Sequence, residues 1–199
     1  MFRKIVCALF LSLLTLTFFV SFRAAGQAES LEKEVLRLHI VAASDAPSDQ
    51  ALKLKVRDAL LRWGKDTLPA ADKQKAMQTA MENREELEAV AAAVLKENGS
   101  DAPVTVSLSR AWFPTKEYEN GMRLPAGEYD ALRVTIGEGA GQNWWCVLYP
   151  PLCFGGSITE SEQALTALAG DAAELAVSRQ PRYEIRFKLA EIWQTLIRR

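Results

Sequence analysis

Apolar and polar positions along this chain change their spacing three times, and each change marks a different kind of element. From Ile5 to Phe22 the residues are apolar on every side, interrupted only by Ser and Thr, so no helix face or strand face is distinguished. From Val35 to Val41 (VLRLHIV) the spacing falls to a period of two. Leu36, Leu38 and Ile40 share one face, and Val35, His39 and Val41 the other. This reads as a strand, and as a central one because its first face is wholly apolar.

Helical spacing follows. Ser44-Asp45 offers an N-cap with Pro47 in the first turn, and Leu52, Val56, Leu60 and Trp63 recur every three or four residues from Asp49 to Trp63. Asp49 with Lys53 and Asp58 with Arg62 are spaced as ion pairs on the outer face. Gly64 to Pro69 reads as a turn. A second helical stretch, Ala70 to Lys96, carries Met77, Met81, Leu87, Val90 and Val94, restarts at the capping-box pattern Asn83-x-x-Glu86 and stops at Asn98-Gly99.

Beyond Pro103 alternation returns. Val104, Val106 and Leu108, then Glu128 to Ile136, then Asn143 to Tyr149 read as three strands. They are joined through Asn120-Gly121 and the glycines of 137–141, which predicts an antiparallel meander. Ser157 to Ser178 is Ala-rich and reads as a weak helix or ordered loop, Tyr183 to Phe187 as a short strand, and Leu189 to Leu196 as a last helix. The expected class is α+β: one domain, a mostly antiparallel sheet, and helices packed on at least one face.

The first regime sets the compartment. Arg3 and Lys4 precede the apolar run, Arg23 ends it, and Ala24-x-Gly26 or Gly26-x-Ala28 presents small side chains to a signal peptidase. Residues 1–28 therefore read as a signal peptide or, alternatively, a retained anchor of about the length that spans a bilayer. Residues 29–199 form the exported domain, and membrane contact is expected only through the N-terminal segment. The whole chain carries 24 basic and 25 acidic residues, and loss of Arg3, Lys4 and Arg23 leaves 21 against 25. No basic run is left to hold phosphates, so nucleic-acid binding is not expected.

Candidate chemistry is sparse. The single histidine, His39, is the one available base for a secreted hydrolase, and Ser44 and Asp45 lie past the end of its strand. Two mature cysteines and one distant histidine lack the paired spacing of a zinc module, so no metal or cofactor is expected. Gly137-Glu138-Gly139-Ala140-Gly141 lacks the Lys-Ser/Thr of a phosphate loop and leads into Trp144-Trp145 rather than a helix, so a flexible hairpin turn is expected. The segment Asn143 to Cys153 (NWWCVLYPPLC) is apolar and aromatic on both strand faces. It is either a strand buried on both sides or a docking surface built on Trp144, Trp145 and Tyr149. Cys146 and Cys153 flank Pro150-Pro151, and a chain reversal there would bring them within reach of a disulfide.

RLHIVAASD (Arg37 to Asp45), DQALKLKVRDAL (Asp49 to Leu60), LPAGEYDALRVTIGEG (Leu124 to Gly139), NWWCVLYPPLC and the terminal YEIRFKLAEIW (Tyr183 to Trp193) together resemble the stage II sporulation protein R family of endospore-forming bacteria. Ala43 departs from the Asn that the family pattern has before Ser-Asp, and residues 155–181 match nothing in it. The resemblance implies a non-enzymatic signal, made in the forespore and exported into the space between the two septal membranes. There it would trigger a membrane-embedded aspartic protease of the mother cell, which removes the pro-sequence of a sigma factor. A secreted hydrolase using His39 and a structural or wall-associated sporulation protein are the alternatives.

Overall fold

The computed structural model describes residues 2–69, 72–118 and 123–150, together with Leu165 and Gly170. The apolar run ends at Arg23 as its pattern indicates, without ending the helix. It belongs to one helix, α1 (Phe2–Glu34), of which Lys4–Arg23 is long and apolar enough to cross a membrane and has nothing packed on it. The last turn is different in kind: Leu31 and the following Val35 are fully buried. Glu32 accepts the backbone N–H of Glu128, and Lys73 donates to the Lys33 carbonyl at 2.6 Å while pairing with Asp130 at 2.7 Å. The helix thus ends inside the domain.

Strand β1 (Leu36–Val41) follows, then α2 (Pro47–Thr67), α3 (Lys73–Glu82) and α4 (Arg84–Glu97). The cap of α2 is Ala46 rather than Ser44 or Asp45, with Pro47 at the first helical position. Ser44 instead closes the preceding turn: its hydroxyl accepts the Ala46 N–H at 3.1 Å and donates to Asp49 at 2.6 Å. Gly64 lies buried within α2, which runs on to Thr67, so the expected turn begins only at Leu68. The expected outer-face ion pairs do not form among the described residues. Lys53 is buried and donates to Gln50 and to the Gln142 carbonyl, while Asp58 pairs with Arg57. Helix α4 restarts at Asn83 as its pattern predicts, yet the Asn83 side chain is used by the preceding helix, donating to the Thr79 carbonyl. Gly99, at φ +79°, ends α4 with its own N–H on Lys96 and that of Ser100 on Leu95, the paired bonds of a left-handed helix stop.

The remaining strands are β2 (Val104–Phe113), the two-residue β3 (Lys116–Glu117) and β4 (Arg123–Leu124), β5 (Gly127–Ile136) and β6 (Asn143–Tyr149). The main sheet has the order β2-β5-β1-β6, and β3 pairs with β4 in a separate two-stranded ladder. Two of the three main pairings are antiparallel, and β1 lies parallel to β5. The expected meander is therefore interrupted, because β1 inserts between β5 and β6. The glycine loop 137–141 is accordingly no hairpin turn. It crosses the end of β1, bonding Ala140 and Gly141 to the carbonyls of Ala43 and Ala42. A Cβ on Gly141 would run into the Ser44 carbonyl, so close backbone approach explains that glycine.

Alternation along the strands divides the interior into two. Leu36, Leu38, Ile40, Leu132, Val134 and Ile136 face the helices and meet Val56, Leu60, Ala80, Leu87, Ala91 and Leu95. Ala76, Ala80 and Ala91 are buried with Leu87 and Leu95 in α3 and α4, while Met77, Val90 and Val94 pack against the core only partly buried. The opposite face gathers Leu31, Val35, Phe113, Leu124, Tyr129, Ala131, Val147 and Leu165. The elements expected at Tyr183 to Phe187 and Leu189 to Leu196 and the turn at Asn120-Gly121 lie outside the described residues. So does the stretch Ser157 to Ser178 apart from Leu165 and Gly170.

Candidate functional site

The second face of the sheet holds a group that the hydrophobic pattern did not single out. Arg37 is the second residue of the interior strand β1, and its inward direction follows from alternation with Leu36 and Leu38. It is fully buried. Its Nε donates to the Cys146 carbonyl at 3.0 Å and its Nη2 to the Tyr118 hydroxyl at 2.9 Å. The guanidinium carbon lies 4.4 Å from the centre of the Phe113 ring and 5.0 Å from that of Tyr129, so aromatic faces replace part of its lost hydration. Among the described residues no carboxylate pairs with it, and Nη1 has no hydrogen-bond partner. Burial pulls the guanidinium below its ordinary value and pushes the Tyr118 and Tyr129 phenols upward.

His39 lies two residues further along the same face. Its Nε2 is 2.7 Å from Asn143 Oδ1, and its ring meets Phe113 edge-on at 5.9 Å and Trp145 at 6.2 Å. Burial, which the Asn143 bond only partly opposes, lowers its pKa and favours the neutral imidazole. Its Nδ1 is buried and unpaired. Ser44 and Asp45 are not brought to it: the Ser44 hydroxyl is bonded to Asp49, so the described geometry contains no Ser–His pair. No group of three potential metal ligands occurs among the described residues.

The aromatic strand divides its candidates. Tyr149 is 2 % exposed and belongs to the helix-side core. Trp144 is half-buried on the helix side, under the Arg57 guanidinium at 5.1 Å. Trp145 is half-buried on the second face, where its ring packs on Phe113 at 6.2 Å. Cys146 is a buried half-cystine and Cys7 a free thiol, while Cys153 lies outside the described residues.

The sequence profile described as stage II sporulation protein R matches residues 32–159, which begins at the docked turn of α1 and includes Arg37, His39 and the whole aromatic strand. The chain belongs to the stage II sporulation protein R family. Its similarity to the stage II sporulation protein R of Bacillus subtilis (strain 168) is 37 % identity over 136 residues, covering 66 % of this chain and 59 % of that protein. The chain thus spans less than two thirds of the relative's length. No solved structure matches it. The N-terminal apolar helix fits a secreted or membrane-associated protein.

Proposed function

We propose that this protein is the exported signal by which the forespore activates a membrane-embedded aspartic protease of the mother cell, leading to removal of a sigma factor's pro-sequence. In this reading residues 1–28 direct export, and the domain acts in the space between the two membranes. It works by binding its receptor without chemistry of its own. Family membership supports the sporulation setting. The observation that carries the reading is the incompletely buried Trp145 and His39 on the second sheet face, with the hydroxyl of Ser44 committed elsewhere. Trp145, with Trp144 at the same strand end, supplies the contact. A ligand that prefers the active form of its receptor shifts it by no more than that preference, and buried aromatic anchors are the usual source of such differences.

Protease, sigma precursor and this chain co-produced in a host without sporulation genes test the proposal. Precursor cleavage is expected only when the chain is present and exported. Cleavage of peptide or wall substrates by the purified chain alone would replace this function with the hydrolase. The Cys146–Cys153 bond belongs to the same proposal. Alkylation of exported protein unfolded in denaturant without reductant should leave both unlabelled, with the bond worth about 2 kcal/mol through its short loop.

A further inference from the structure

Arg37 is hard to explain as a stabilising residue. A charge taken out of water without a counter-ion is a cost, and apolar residues of similar volume often replace buried ions with no loss. Two cation–π contacts and two hydrogen bonds offset part of that cost, and still leave Nη1 bare. Water would complete the hydrogen bonding without answering the charge. The second bare atom, His39 Nδ1, lies on the same strand face and against the same Phe113 ring. One unmet positive charge, one unmet ring nitrogen and aromatic walls suit a small monoanion. A phosphate would leave several oxygens facing the rings of Phe113 and Tyr129 with nothing to bond.

We propose that Arg37 and His39 form a carboxylate-binding site, and that its ligand is an acidic side chain on the extracytoplasmic surface of the receptor protease. The source of the carboxylate rests on the function proposed above; the site itself does not. One carboxylate oxygen takes Arg37 Nη1–H. The other faces His39 Nδ1, which becomes a donor on protonation, a state the incoming anion favours. Approach is from the incompletely buried end of the face, between His39 and Trp145. Since Nη1 is covered in the free protein, a ring must turn, and the half-buried Tyr118, which holds Nη2, is the one assigned to move.

The test uses the full-length chain purified in detergent, with its thermal unfolding followed in sodium acetate and in sodium chloride at equal pH and ionic strength. Wild type should unfold about 3 °C higher in roughly 0.2 M acetate, as mass action requires for a weak site of this kind. Arg37→Met should remove that difference without lowering the midpoint in chloride. The double variant Arg37→Met/Tyr118→Phe, which leaves no orphaned hydroxyl, should behave alike. In the co-production assay both variants, still folded, should trigger at least tenfold less precursor cleavage. Equal midpoints of wild type in the two salts overturn the site, and a shift that survives in the double variant overturns its assignment to Arg37. If neither variant folds, Arg37 is a structural residue and the proposal falls. Folded variants that trigger full cleavage exclude the receptor as the source of the carboxylate and leave the signalling function standing. Wild type that triggers none removes that function and that source together, and the acetate comparison then judges the site alone.

Discussion

The two faces of the sheet are made from the same strands and obey different rules. On the helix side, Leu36, Leu38, Ile40, Leu132, Val134 and Ile136 meet helix residues that are equally hydrocarbon. On the other side, Arg37 and His39 project from between those same leucines into a nest of Phe113, Tyr129 and Trp145. The first face can account for the fold by itself, since each fully buried aliphatic side chain contributes about 1.5–3 kcal/mol. The second face carries a bare guanidinium nitrogen and a bare imidazole nitrogen, which stability alone would not select. A fold secured on one side leaves the other free to hold polar groups that packing does not require, and the carboxylate site proposed above uses two of them.

This contrast can be broken by substitution. Leu95→Ala, on the fully buried helix side, should cost about 3 kcal/mol in urea unfolding. Its signalling should fall only as far as the unfolded population rises. Gly141→Ala pushes a methyl into the Ser44 carbonyl where the glycine loop crosses β1, and should cost about 2 kcal/mol by the same measurement. Trp145→Ser, on a half-buried ring, should destabilise by about 1 kcal/mol yet abolish precursor cleavage in the co-production assay. Stability loss that matches the signalling loss would make Trp145 part of the core instead.

The smallest effect concerns pH. Burial sets the folded pKa of His39 below its ordinary 6.5, so the unfolded chain takes up the proton first as pH falls. The stability that His39 contributes is complete above pH 6.5. It is lost as the pH falls from there through the folded value. Unfolding free energies measured from pH 8 to 5 should therefore decline in wild type through this window, and His39→Gln should flatten that part of the curve.

Much of the helix side was legible in the sequence, because Val56 and Leu60, or Leu36, Leu38 and Ile40, advertise their periods directly. The strand Asn143 to Tyr149 has the expected bounds, and Asn98-Gly99 ends its helix as its residue types require. Sheet order was not legible. Nothing in the period of β1 says that β5 and β6 will leave a gap for it, since pairing partners are chosen by long-range packing rather than local pattern. Arg37 escaped notice for a related reason. An arginine in an alternating strand reads as a solvent-facing position, and only the aromatic rings that arrive from β2 and β5 show it to be interior. Tyr149 runs in the opposite direction: the aromatic strand left it open as a docking residue or a core one, and the strand end carries it into the core.

The insertion of β1 also orders events in time. The strand made first cannot find its neighbours until residues around Asp130 and then Cys146 have been made, so the sheet closes only over a long separation in sequence. Such non-local closure is slow, because the loop entropy is lost before the strand contacts repay it. A chain that crosses a membrane N-terminus first stays translocation-competent for as long as its fold is incomplete. In the exported protein proposed above, β1 would wait on the far side for β5 and β6, and assembly of the sheet would come late enough to leave the pore unobstructed. Once formed, the sheet would keep the chain from sliding back.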